Sequence, residues 1–264
     1  MQVKFGITGA TSDIGKALYT LLTLNGHQVT KFGRHEKDFW QFGNRIPTSD
    51  IDVLFHLAHD RNLSLEENKE ALEIIISSFG EKIVFISSTS AHPQAVSNYG
   101  KSKFAAQNLI EKAGGTSLVS GIIYGNEVMS DNSIITKLNR VTSSYPFVPL
   151  PFSGKSSLYF SEIKVLSEAL FSASMMHEVG NFRAFSENHL TLRQLVEKLA
   201  ENSENSPKVI DIPDFGFTKM LRTSSGFLKY PGLFDSMLSL VNEMEPEYLN
   251  ELKLLPEIIF PNYS

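Results

Sequence analysis

The feature that most constrains this chain is its opening. An apolar run, Val3–Thr8, leads into a glycine-bearing turn, Thr8-Gly9-Ala10-Thr11-Ser12-Asp13-Ile14-Gly15, and a helical pattern follows directly. Ser12 can cap that helix, with Ile14, Ala17, Leu18, Leu21 and Leu22 on one side and Asn25-Gly26 at its end. Parallel strands need such a crossover, and crossovers of this kind are right-handed. The first half repeats the alternation. Strands are predicted at Gln28–Phe32, Phe39–Phe42 (short), Val53–Leu57, Ile83–Ser87 and Leu118–Ile123, and helices at Leu65–Ser78 and Ser97–Lys112. The reading is an α/β protein with a doubly wound parallel sheet and ligands at the carboxyl ends of its strands.

After Tyr124-Gly125 the pattern changes. Pro146, Pro149, Pro151, Gly154 and several serines punctuate Ser143–Ser157. Helical patterns follow at Glu162–Met175, Leu192–Asn202 and Phe217–Asn242, with one short strand near Phe182–Phe185. Residues 1–145, with strand contributions from 146–186, are expected to hold a dinucleotide. Residues 146–264 are expected to form a small, mostly helical substrate lobe, with the substrate in the cleft between the two.

Composition removes several classes. A chain of 264 residues with 42% hydrophobic residues can bury a core without covalent staples. No cysteine is present, which excludes disulfides, cysteine–zinc sites and thiol nucleophiles. A net charge of −5 without a basic stripe argues against nucleic acid. The start lacks the apolar core of a secretory signal, and no uncharged run reaches membrane-spanning length. A cytoplasmic protein with no membrane partner is expected.

The opening turn is suited to phosphate. Strand, glycine turn and helix together aim backbone N–H groups and the positive end of a helix dipole at an anion. Gly9 allows the tight turn, and Gly15 lets helix and strand approach. Turns without a ligand use the same glycines, but the flanking strand and helix favour a dinucleotide. The second strand ends in Lys31-Phe32-Gly33-Arg34-His35, with no carboxylate at its tip. Arg34 suits a 2′-phosphate, with Lys31 or His35 beside it, so NADP is favoured over NAD.

The chemistry points to Tyr99-Gly100-Lys101-Ser102-Lys103. Tyr99 and Lys103, four apart, share a helix face. A free phenol ionises near pH ~10, and a neighbouring ammonium favours the phenolate. Such a tyrosine can exchange a proton with a hydroxyl or ketone while hydride moves. The pair opens the helix after the strand that ends in Ile86-Ser87-Ser88-Thr89-Ser90.

These residues together resemble the extended short-chain dehydrogenases, the epimerase/dehydratase group. The opening turn is similar to that family's, with Ser12 where a glycine is usual. Asp52-Val53-Leu54-Phe55-His56-Leu57-Ala58-His59 is similar to its fourth strand, and Asn68 to a structural asparagine. Tyr124-Gly125 matches the pair after the sixth strand, and Thr191-Leu192-Arg193 a helix start. Three departures stand out. Val119-Ser120 or Ser120-Gly121 replaces Arg-Pro, Phe160-Ser161-Glu162-Ile163-Lys164-Val165 lacks the paired aspartates, and no acids flank Ser88 for water elimination.

The resemblance implies a Rossmann-type fold and a nicotinamide-dependent epimerase or reductase acting at a hydroxyl or keto carbon. Its implied catalytic residues are Ser88, with Thr89 as the near alternative, Tyr99 and Lys103. Implied cofactor contacts are Gly9, Thr11, Ser12, Asp13, Ile14, Gly15, Arg34, Leu57, Ala58, His59, Ser87, Lys103, Ile122 and Ile123. The implied partner is a nucleotide sugar, its phosphates met by Lys137, Arg140, Lys155, Arg193 or Arg222, and a homodimer is implied through Leu65–Ser78 and Ser97–Lys112. His56 and His59 have no third ligand at metal spacing, so no metal is expected. The competing readings are a cofactor-holding sensor or scaffold without turnover, and a reductase of a non-sugar carbonyl.

Overall fold

The alternation becomes, among the described residues, a parallel eight-stranded sheet. The computed structural model describes residues 2–36, 38–46, 50–125, 130–131, 133–176, 178–212, 239–240, 244, 246–256 and 258–263. In chain order the elements are β1 (Lys4–Thr8), α1 (Asp13–Leu24), β2 (Gln28–Gly33), β3 (Asp38–Phe39), β4 (Val53–His56), α2 (Leu65–Phe79), β5 (Ile83–Ser88), α3 (Asn98–Lys112) and β6 (Thr116–Ser120). They continue with β7 (Ile122–Tyr124), α4 (Ile134–Ser144), β8 (Phe147–Pro151), β9 (Ser157–Glu162), α5 (Ile163–Met176) and β10 (Gly180–Ala184). The last are β11 (His189–Thr191), α6 (Leu192–Glu201), β12 (Lys208–Ile212), α7 (Pro246–Glu251) and β13 (Lys253–Leu254). The main sheet runs β13-β10-β6-β5-β4-β1-β2-β3, and each of its pairings is parallel.

Side-chain alternation divides the core into two layers. Phe5, Ile7, Phe55, Val84 and Ile86 point to the face covered by α1 and α5, against Leu18, Leu22, Leu166 and Leu170. Leu54, Ile83 and Phe85 point to the other face, against Leu72 and Ile75 of α2 and Ile110 of α3. Phe5, Phe55, Leu18 and Leu54 are fully buried, and each such side chain contributes about 2–3 kcal/mol. Helix starts are fixed by side-chain oxygens that accept the otherwise unpaired N–H groups: Ser12 from Gly15, Ser97 from Gly100, and capping boxes at Ser64–Glu67 and Thr191–Gln194.

The structure differs from the sequence expectation at several points. The apolar run Leu118–Ile123 is two strands in two sheets. β6 stays in the main sheet, while β7 pairs with β9 in the three-stranded sheet β11-β9-β7. Gly121 makes the break possible, because a Cβ there would run into the backbone of Tyr159 and Phe160. The punctuated stretch Ser143–Ser157 contains β8, which among the described residues pairs only with β12. An edge position tolerates Pro149 and Pro151, which lack the N–H of an interior strand. The second half therefore carries more strand than its helical patterns indicate. The third strand is only Asp38–Phe39, and Trp40, Gln41 and Phe42 turn into a cleft instead. Apart from Ser239 and Leu240, the helix expected at Phe217–Asn242 lies outside the described residues, as does Arg222.

The chain's end is tied to the middle of the fold by a buried polar relay. Tyr248 of α7 donates to Gln107 Oε1 (2.5 Å), and Gln107 Nε2 donates to Ser87 Oγ (2.6 Å). Gln107 is fully buried on α3. Tyr248→Phe strips Gln107 Oε1 of this donor, and the expected cost is about 1–3 kcal/mol. Urea denaturation checks this; an unchanged midpoint would show that the relay does not hold α7.

Candidate active site

A cleft of 720 Å³ opens at the carboxyl ends of β1, β2, β4 and β5, and the β6–β7 junction, α4 and β9 close its far wall. Its floor is the opening turn. Gly9 has φ +71°, and a Cβ on it would meet the backbone of Leu57 and Ala58 at 2.9–3.1 Å. A Cβ on Gly15 would run into the carbonyl of Gly9 and the backbone of Ala10. Both positions need glycine, so the N-terminus of α1 presses on the turn and the turn presses on the end of β4.

The expected cofactor residues divide into two groups. Gly9, Thr11, Ser12, Asp13, Ile14 and Arg34 line the cleft, as do Leu57, Ala58, His59, Ile122 and Ile123. Gly15, Ser87 and Lys103 are not on its wall. Gly15 is packed behind the turn. Ser87 has the same sheet parity as Ile83 and Phe85, so its hydroxyl faces α3 and accepts from Gln107. Ser12 keeps its hydroxyl at home: Oγ donates to Gly9 O (2.8 Å) and accepts from Gly15 N (3.1 Å). That proton is therefore committed within the turn. Asp13 accepts the N–H of Ser130 (3.1 Å), which fastens the far wall to the start of α1.

Ser88 and Tyr99 face the same cleft, with Thr89 beside them. Ser88 Oγ accepts the Ser90 N–H (3.2 Å), and the Ser90 hydroxyl donates to the Ser239 carbonyl (3.2 Å). α3 starts beneath this loop because Gly100 lets the Ser90 carbonyl touch the helix; a side chain there would collide with it. Lys103 is buried, and its Nζ donates to the Ile86 carbonyl (2.8 Å). That nitrogen lies 4.4 Å from the centre of the Phe85 ring and 5.9 Å from that of Tyr99. Burial, with a smaller push from the Arg61 charge, brings its pKa down to about 7.

Sequence reading named His59 only as a cofactor contact and missed Arg61, and both are neighbours of Tyr99. The His59 ring meets the Tyr99 ring edge-on at 5.1 Å, and the Arg61 guanidinium lies over the same ring at 4.6 Å. Both follow the His56-Leu57-Ala58 run, and that proximity was the available signal. Desolvation first, then Lys103, Arg61 and His56, pulls the His59 pKa down to about 2. His56 is explained by structure: it is bonded to Thr8 Oγ1 (2.9 Å), stacked between Phe42 and Phe85, and brought down to about 3 by burial and then Lys103.

Of the expected phosphate cations, Lys137 alone among the described residues lines the cleft. Arg140 pairs with Asp131, Arg193 with Glu197 and Asp211, and Lys155 is exposed outside it. Ser161 stands where the resemblance puts an aspartate. Its hydroxyl donates to Ala184 O (2.6 Å) and accepts from Gly121 N (2.9 Å), which pins the β6–β7 break. The Ser120 hydroxyl donates to Ser87 O (2.9 Å) in place of the usual Arg-Pro. Asn68 donates to the carbonyls of Asp60, Leu63 and Ser64, which closes the loop that carries Arg61. Among the described residues no helix is long and apolar enough to cross a membrane.

Both histidines bind fewer protons folded than unfolded below their ordinary value of 6.5, so stability falls as pH drops through that range. For the fully buried His56 the loss approaches about 1.4 kcal/mol per pH unit once the unfolded imidazole is charged. We expect the ring nitrogens of both to hold constant NMR shifts between about pH 5 and 8. A titration in that window would contradict their neutral burial.

The sequence matches no protein-family model and no curated protein. Solved structures do match. A UDP-N-acetylglucosamine 4-epimerase from Bacillus cereus is 19% identical, with a TM-score of 0.62, over 81% of this chain and 88% of that one. The UDP-glucose 4-epimerase of Thermus thermophilus, in complex with NAD, is 15% identical, with a TM-score of 0.60, over 90% and 97%. TunA, an NAD-dependent NDP-hexosamine 5,6-dehydratase of tunicamycin biosynthesis, is 15% identical, with a TM-score of 0.63, over 91% and 96%. The Rossmann-type fold of this chain is that of these epimerases and dehydratases.

Proposed function

We propose that the protein is a nicotinamide-dependent oxidoreductase of the epimerase/dehydratase kind, acting at a hydroxyl-bearing or keto carbon of a nucleotide-linked sugar. The observation that carries this reading is the meeting of Ser88 and Tyr99 in one cleft with the opening glycine turn. The turn fits a dinucleotide. Gly9 keeps its Cα side bare, the first turn of α1 faces the cleft, and Ala58 adds no bulk beside it. We assign the dinucleotide to residues 1–145 together with the strands that complete the main sheet, and the substrate to the wall drawn from 146–264.

Bound there, the dinucleotide supplies the acceptor or donor of hydride. Tyr99 takes the proton of the substrate hydroxyl as the carbon is oxidised, and returns it when the carbonyl is reduced. Ser88 donates to the same oxygen and holds it against the phenol. Lys103 lies under the Tyr99 ring, and its charged form favours the ionised phenol. Ile122 and Ile123 shield the reacting face from water.

The solved relatives named with a cofactor carry NAD, so NAD is the proposed dinucleotide. Arg34 makes NADP the alternative. NADH is expected to bind at least as tightly as NADPH, and Arg34→Ala to leave NADH affinity within twofold. A strong NADPH preference that this substitution abolishes would reverse the assignment.

A panel of UDP- and dTDP-linked sugars with NAD tests the activity. Tyr99→Phe is expected to lower turnover by about 10²- to 10⁴-fold while leaving dinucleotide affinity nearly unchanged. Equal turnover would remove Tyr99 from the chemistry. Dinucleotide binding without turnover on sugars or simple carbonyls would favour a cofactor-holding module.

A further inference from the structure

The segment between β4 and α2 touches both halves of the site. At its start it lies on the opening turn. The Leu57 N–H donates to Thr8 O (3.2 Å), the Ala58 N–H donates to Thr8 Oγ1 (3.3 Å), and Gly9 leaves room for the backbone of both residues. At its far end, Asn68 is buried on α2, and its amide donates to the carbonyls of Asp60, Leu63 and Ser64 at 3.0–3.2 Å. The Asp60 carboxylate accepts the Asn62 N–H (2.9 Å), and the Ser64–Glu67 capping box fixes the start of α2. The loop is thus tied to β1 on one side and to α2 on the other.

Between these ties it brings two side chains to Tyr99. The Arg61 guanidinium lies 4.6 Å from the ring centre, nearer than the Lys103 ammonium at 5.9 Å. The His59 and Tyr99 rings meet at 5.1 Å and 80°. A cation over an aromatic face and an edge-to-face aromatic pair are both attractive. The Ser97 cap and the approach of Gly100 to the Ser90 carbonyl are contacts of backbone, and they set the helix rather than the ring.

We propose that Arg61 and His59 are positioning residues for Tyr99, and that the segment from Leu57 to Arg61 registers the phenol ring against the glycine turn. One short piece of chain then sets how the phenol stands to the dinucleotide. The chemistry of Tyr99 rests on the proposed function; the placement of its ring does not. A displacement of about 1 Å between reacting groups costs roughly 10²-fold in rate, so such a bracket acts on turnover more than on binding. Among the described residues, the charged groups near the ring are Arg61 from the loop and Lys103 from the same helix, while His59 is neutral and Lys137 of α4 lines the same cleft. Arg61 keeps much of its surface exposed, which places its effect on the ring at the modest end for a cation over an aromatic face.

NMR of protein isotopically labelled at tyrosine Cζ reads the ring without turnover, and Tyr99→Phe assigns the signal. Arg61→Met, which keeps length and loses charge, should shift the Tyr99 signal and raise its titration midpoint by about 0.5 pH unit. Arg61→Lys should restore part of this. His59→Ala should shift the signal, and His59→Phe, which keeps an aromatic edge, should return it towards its native position. On the panel of UDP- and dTDP-linked sugars, Arg61→Met and His59→Ala should each lower kcat about tenfold or more, with KM and NADH affinity within about twofold, and the same two conservative variants should recover part of the loss. A Tyr99 signal and titration unchanged in both Arg61→Met and His59→Ala overturn the proposal. So does native kcat in both while Tyr99→Phe is inactive. A parallel loss of NADH affinity would give the two side chains to the dinucleotide and overturn it too. Native turnover in Tyr99→Phe would instead sink the proposed function, and the labelled ring would still decide whether the loop holds it.

Discussion

Everything that gathers in the cleft depends on three backbone segments in contact. The turn after β1 lies on the end of β4, and the first turn of α1 lies on the turn. Gly9 and Gly15 are the residues that permit this, the first by its positive φ and bare Cα, the second by leaving no Cβ against the Gly9 carbonyl. A side chain at either place would lever the helix from the sheet. The positive end of the α1 dipole would then no longer face the cleft. The Ser12 cap reinforces the same junction from within, since its hydroxyl joins Gly9 to Gly15.

The second organising feature is electrostatic. Lys103 and His56 are buried at the carboxyl ends of the interior strands β5 and β4, and both give up part of their affinity for protons to desolvation. The Tyr99 ring has the Arg61 guanidinium 4.6 Å and the Lys103 ammonium 5.9 Å from its centre, with neutral His59 at its edge. The phenol ring is thus flanked by two basic side chains. Neighbouring cations favour a phenolate in general, and this is the setting in which the acid–base role proposed for Tyr99 would operate.

Much of this was legible in the sequence, and the reasons are local. β1, β4 and β5 are short, largely apolar runs bounded by turns, β2 has its Val29 and Thr30 β-branched residues, and α2 and α3 carry apolar residues at helical spacing behind serine caps. That Ser88 and Tyr99 share a cleft was legible because one follows a strand end and the other opens the next helix. What was not legible is tertiary. Nothing in Leu118–Ile123 says that the chain changes sheets at Gly121; that follows from the approach of Tyr159, nearly forty positions later. Pro149 and Pro151 read as loop because an edge strand cannot be told from one by composition. Arg61 occupies no motif, His59 was read only as a cofactor contact, and only the folded loop carries the two to Tyr99. The fate of Ser87 is a matter of strand parity, and that of Lys103 one of depth.

Trp40 is the chain's single tryptophan, and it lies on the cleft wall with its ring nitrogen bonded to the Asn44 carbonyl (2.9 Å). Its emission overlaps the absorption of reduced nicotinamide, so energy transfer reads directly whether a dinucleotide enters this cleft. Titration with NADH under tryptophan excitation should quench Trp40 and raise nicotinamide emission along one saturable curve. Unchanged tryptophan emission, with nicotinamide fluorescence that rises only in proportion to added NADH, would mean that the glycine turn holds no dinucleotide, and the account of Tyr99 would fall with it.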